Sequence, residues 1–137
     1  MSVFVDTWAW FALTDPDSSD YALAELAFRD TRERRVELVT TNFVLAEATT
    51  LIRYKIHHAA AVGFRRLISN LVSDRVLRII RLSEAHEQAA GEVFDRYDRM
   101  DLSFTDCTSF VVMRELKISD VFTGDAHFRA MGFTLIP

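Results

Sequence analysis

Four acidic residues, Asp6, Glu47, Asp106 and Asp125, stand at places in the chain where carboxylates can act together. Asp6 ends the apolar run Val3-Phe4-Val5, so it emerges where a buried strand reaches its end. Asp125 follows a second such run, within Thr123-Gly124-Asp125-Ala126-His127-Phe128, where Gly124 permits a tight backbone. Glu47 shares a helical face with Phe43 and Leu51 at four-residue spacing. A carboxylate on an apolar stripe must be paired or metal-bound, because burying a free charge is costly. Asp106 falls in the first turn of a helix that Thr105 could cap, on the face of Phe110 and Met113. Each acid also has a plainer use. Asp6 and Asp125 can cap helices, Asp106 can complement a helix dipole, and Glu47 can pair with Arg53. Placed together, however, four carboxylates repel and push some pKa values upward, and a divalent cation relieves that repulsion. The one cysteine and four histidines form no zinc-ligand pattern. Oxygen-only donors point instead to Mg²⁺, with Mn²⁺ as the alternative.

Bringing four such positions together requires a particular scaffold. Short β-branched and aromatic runs predict five strands: 3–5, 36–39, 76–80, 120–123 and 133–136. Helical patterns lie between them. Asp20 could cap a helix containing Leu23, Leu26 and Ala27. Phe64, Leu67, Ile68, Leu71 and Val72 form one helical face, and Ser83 opens a helix running to about Tyr97. Alternating strands and helices predict an α/β domain with a mainly parallel sheet. In such sheets the strand C-termini share one edge, and that edge carries the site. The acids that follow strands and those near helix starts should then converge. One connection is awkward: if the helix from Ser83 and the one from Thr105 both start at this edge, Arg99 to Phe104 must carry the chain back.

The chain has 137 residues, 50% apolar and 26% charged, which fits a single globular domain over 1–137. A lone thiol, Cys107, cannot form an internal disulfide and fits a reducing cytoplasm; Cys107 reads as packed beside the site rather than nucleophilic. No membrane span or signal peptide is expected. The formal charge of −4 argues against nucleic-acid binding through bulk positive charge. Of 16 basic residues all but Lys55 and Lys117 are arginine, whose planar fork suits phosphate. Arg29, Arg32, Arg34 and Arg35 form the densest basic cluster and Arg65-Arg66 another; either could steer an RNA backbone or be a solvated helix face. His57, His58 and His127 read as surface or helix-start residues. Trp8, Trp10 and Phe11 read as part core and part partner surface.

The stretches Val3-Phe4-Val5-Asp6-Thr7, Ala9-Trp10-Phe11-Ala12-Leu13, Thr40 through Glu47, Leu102 through Phe110 and Phe122 through Phe128 before Gly132-Phe133 resemble, in order, the PIN-domain ribonucleases. The likeness is to the VapC-type toxins of bacterial toxin–antitoxin pairs. It covers nearly the whole chain. It implies a three-layer α/β fold with a five-stranded parallel sheet in the order 3-2-1-4-5. It implies Mg²⁺-dependent endoribonuclease activity leaving a 5′-phosphate and a 3′-hydroxyl. A small cognate antitoxin, a homodimer, and contact with DNA only through the antitoxin are implied as well. By motif, Asp6 and Asp106 become the firmest metal ligands, Glu47 the third acid and Asp125 the fourth, with Thr7, Thr105 and Thr123 in support. The chain departs from the pattern at Trp8, where the family usually has a small hydroxyl residue that can bond the first carboxylate. The other readings the residues leave open are a non-catalytic PIN interaction module, a metal-dependent DNA nuclease and an aspartyl phosphatase. The last would want a second acid where Trp8 stands.

Overall fold

The computed structural model describes residues 1–137. Five strands, β1 (Ser2–Val5), β2 (Glu37–Thr41), β3 (Leu77–Ile80), β4 (Asp120–Phe122) and β5 (Thr134–Ile136), form one sheet. Its order is β3-β2-β1-β4-β5 and every pairing is parallel, as expected. Seven helices connect the strands: α1 (Thr7–Thr14), α2 (Tyr21–Glu33), α3 (Asn42–Lys55), α4 (His58–Ser73), α5 (Glu84–Arg96), α6 (Phe104–Glu115) and α7 (Ala126–Ala130). After Ser2 the central strand β1 is apolar because helices cover both of its faces; Val3, Phe4 and Val5 are buried. Around it Trp10, Leu38, Ile52, Phe110, Phe122 and Phe128 close one continuous core. Trp10 is wholly inside, while Trp8 and Phe11 are half-buried, which divides that aromatic set as its composition demands.

The register sets the neighbours of the first acid. Val5 pairs with Phe122, so Asp6 and Thr123 leave the sheet side by side. The Asp6 N–H bonds the Phe122 carbonyl at 3.2 Å, extending that ladder by one step. On the other side of β1, the Thr40 hydroxyl donates to the Val5 carbonyl at 2.9 Å and lies 3.4 Å from the Trp10 indole N–H.

The awkward connection is resolved differently from the expectation. His86, near the start of α5, meets Glu115 at the end of α6, while Phe94, near the end of α5, meets Phe104 at the start of α6. The two helices are therefore an antiparallel hairpin. It is α5 itself that carries the chain toward the acidic edge; residues 97–103 need only turn. The cap also differs. Ser103, not Thr105, caps α6: its Oγ accepts the Asp106 N–H, and Asp106 answers by accepting the Ser103 N–H. Asp20 precedes α2 but its side chain makes no capping bond.

Candidate active site

Asp6 sits at the β1–α1 junction, 4% exposed. Its Oδ2 accepts the Thr123 hydroxyl at 2.9 Å. The same hydroxyl oxygen accepts the Asp125 N–H at 3.1 Å, which leaves its single proton for Asp6. Thr123 thus ties the first acid to the loop that carries the fourth. This supplies the hydroxyl that Trp8 cannot. The Trp8 ring lies instead on Gly124, where any β-carbon would overlap the indole. Thr7 helps through its backbone N–H, which favours the charged form of Asp6. The Thr7 side-chain hydroxyl is buried without a partner.

Asp106 occupies the third position of α6 and is buried. The capping box engages its Oδ2 at 3.1 Å from the Ser103 nitrogen, and Oδ1 is left without a protein donor. Asp125 caps α7 by accepting the His127 N–H at 2.9 Å. Its Oδ1 also lies 3.0 Å from His127 Nδ1. One ligand atom each from Asp106, Asp125 and His127 lie within 4.8 Å of one another. Glu47 is half-buried on α3 and takes part in none of the ion pairs, so the anticipated bridge to Arg53 does not form. It lines a cavity of about 760 Å³ with Phe43, Leu51 and Thr105. Thr105 thus borders the same space as Glu47 rather than capping a helix.

Asp6 and Glu47 fall outside that trio, and electrostatics link them to it, Asp6 through Asp106 and Asp125 and Glu47 through Asp106. Burial pushes the Asp6 carboxyl up to about 7, with the charges of Asp106 and Asp125 adding to the shift. Burial also raises Asp106, against the pull of the Ser103 backbone bond, and the charges of Asp125 and Glu47 push it further. Cys107 is buried, and its thiol is raised by burial and by Asp106, which makes it a poor nucleophile. Carboxylates perturbed by burial and by one another in a common edge are what a divalent cation would neutralise, and the oxygen-rich donor set suits a hard ion. His127 joins the acids, although its sequence position suggested a surface residue. Its signal was the spacing: two residues past an N-capping Asp, the side chain folds back over the cap. His57 caps α4 through Nδ1, as a helix-start residue, and takes no part here.

Comparison with known proteins places the fold. The model of the PIN domain family matches residues 3–134. The chain is 32% identical over 131 residues to the 23S rRNA-specific endonuclease VapC20 of Mycobacterium tuberculosis, in each of two strains, covering 96% of this chain and 95% of that protein. Among solved structures, the crystal structure of Mycobacterium tuberculosis VapC20, described as a sarcin–ricin loop cleaving toxin, superposes with a TM-score of 0.86. That match covers 97% of both chains at 31% identity.

Proposed function

Because this chain belongs to the PIN domain family, we propose that it is a metal-dependent endoribonuclease, the toxin of a toxin–antitoxin pair, with Asp6, Glu47, Asp106 and Asp125 as its catalytic and metal-binding residues. The observation that carries this reading is the coupling of those acids on one sheet edge, with a buried Asp6 carboxyl raised to about 7. Ribosomal RNA is the substrate class to test first, since the relative acts on 23S rRNA. The domain is the whole of 1–137. No helix is long and apolar enough to cross a membrane, in keeping with action in the cytoplasm. A small antitoxin as inhibitor, contact with DNA only through that antitoxin, and a homodimer complete the reading.

Asp6 and Asp106 would hold Mg²⁺, or Mn²⁺ in its place, through the oxygens that Thr123 and Ser103 leave free. A bound divalent cation supplies charge that polarises the scissile phosphate and lowers the pKa of a water. Asp6, which holds a proton near neutral pH, would give it up on binding the cation. Glu47, with no competing cation, is the residue free to accept a hydrogen bond from the attacking water and aim it in line. Asp125 is held by His127 and Thr123 and acts on the same charge from the side. Thr123 and Ser103 orient the two principal acids, the role outer hydrogen-bond partners play in metal sites generally. His127, on the rim, offers a donor toward phosphate.

The test is cleavage of total RNA by the purified protein, with Mg²⁺, with EDTA, and beside Asp6→Asn. Discrete fragments with 5′-phosphate ends, requiring both Mg²⁺ and Asp6, are expected. Full-rate cleavage by Asp6→Asn, or equal cutting in EDTA, would overturn the scheme. Preferential cutting of DNA offered in parallel would replace the substrate.

A further inference from the structure

The densest basic cluster in the sequence turns out to be largely engaged, with Arg35 alone left without a partner. On α2, Arg29 pairs with Glu25 at 2.6 Å and Arg34 with Asp30 at 3.1 Å, and the Arg32 guanidinium lies over the Phe28 ring. A different set is free. Arg65, Arg66 and Arg81 line a cavity of about 820 Å³ between α3, α4 and the end of β3, and no acid lines it. A second hollow, along the β3 edge, is lined by Arg75, Arg78 and again Arg81. Its only acid is Glu37, which sits 3.5 Å from Arg78. Five exposed arginines against one glutamate therefore form a connected trough on a chain whose formal charge is −4. Arg65, Arg66, Arg75 and Arg81 have no ion-pair partner.

The trough also adjoins the acidic edge. Its larger cavity shares Ala46 and Thr50 with the cavity that holds Glu47 and Thr105. Ala46 and Thr50 lie one turn apart on the exposed side of α3, and their short side chains leave a low ridge between the two spaces. A strand entering over the acids can cross that ridge without meeting a bulky side chain. Arginine forks beyond it match phosphate oxygens in geometry as well as charge.

We propose that the trough of Arg65, Arg66, Arg75, Arg78 and Arg81 binds the phosphate backbone of RNA flanking the cleavage position. It is the counterweight that an acidic site needs to hold a polyanion. The inference rests on the ribonuclease reading for its substrate, but its binding test does not need cleavage.

Binding of a fluorescent RNA hairpin is followed by anisotropy in EDTA, across a salt series, for the wild type, R65Q/R66Q/R81Q, R65K/R66K/R81K and the α2 control R29Q/R32Q/R34Q. The glutamine trough variant is expected to bind at least about tenfold more weakly, with a salt slope lower by about two, as loss of three phosphate contacts requires. The lysine variant should recover most of the slope, which a merely structural role would not restore. The α2 control should behave as the wild type. Unchanged affinity and slope in the glutamine variant would overturn the proposal, and so would an equal loss in the α2 control. A protein that binds through the trough but never cuts RNA in Mg²⁺ would sink the ribonuclease reading and leave this one standing. Cutting retained beside unchanged binding in the glutamine variant does the reverse.

Discussion

The α5–α6 hairpin carries two capping boxes of the same construction and opposite use. In each, a serine N-cap accepts the N–H of the third helical residue, whose side chain accepts the serine N–H in return. At α5 that residue is His86. Because its Nδ1 accepts from Ser83, the ring proton sits on Nε2 and donates to Glu115 at 2.7 Å, so every polar atom is used. At α6 it is Asp106, whose box consumes one oxygen and leaves the other without a protein donor, on a carboxylate that feels the charges of Asp6, Asp125 and Glu47. A cap and a functional acid are thus not competing explanations for one residue. The box fixes the rotamer of Asp106, and the surplus oxygen is what the site gains. The α5 box, with no surplus, is structural.

Activity should separate the two boxes most clearly. Asp106→Asn keeps an acceptor for the Ser103 N–H but loses the charge, and RNA cleavage should fall by more than about 100-fold, beyond what outer partners of a metal site are worth. His86→Ala should leave the cleavage rate within about twofold and cost about 1 kcal/mol of stability, the worth of a cap, in denaturant unfolding. A large loss of activity in His86→Ala would mean that the two boxes are not separable. Thr123→Val should weaken Mg²⁺ affinity by about 10- to 100-fold, read by calorimetry, since Thr123 alone donates a side-chain hydroxyl to Asp6.

Stability against pH tests the same division between acidic edge and scaffold. The Asp6 carboxyl is raised from 3.8 to about 7, so between those values the folded protein holds more protons than the unfolded chain. In EDTA the unfolding free energy should therefore decline as pH rises from about 4 to about 7, by up to about 4 kcal/mol. Asp6→Asn should flatten that decline, and Mg²⁺ should offset it in the wild type. A smaller effect is expected at Gly124. Gly124→Ala drives a methyl into the Trp8 ring and should destabilise by about 1–3 kcal/mol, and Trp8→Ala in the same chain should recover much of it. Independent, additive losses in the double variant would contradict the contact.

The strands, their parallel arrangement and the four acids were legible because each rests on a local signal. A buried strand reads as an apolar run, and an acid at its end has few alternatives. The strand order came with the family resemblance rather than from periodicity. What escaped depends on relations between elements. The antiparallel course of α5 is set by the pairings of Phe94 with Phe104 and of His86 with Glu115, which are invisible to a helical pattern. Ser103 displaced Thr105 as the cap because both are good caps two residues apart, and only the reciprocal bond with Asp106 decides between them. His127 joined the acids through a turn too short to show periodicity. The Arg29–Arg35 cluster drew attention by density, yet intrahelical acids at four-residue spacing neutralise much of it. The free arginines are spread from residue 65 to 81 and meet only where α4 lies against β3.

Four acids that form one site completed by a divalent cation must bind that cation together. Calorimetric titration of the metal-free protein with Mg²⁺ near pH 6, in two buffers of different ionisation heat and beside Asp6→Asn, is the measurement that decides whether they do. Binding to the wild type should release protons, because a cation displaces the proton held by Asp6. In Asp6→Asn both the affinity and the proton release should be lost. Equal binding by the two proteins, with no proton released by either, would show that the acids do not share one cation site.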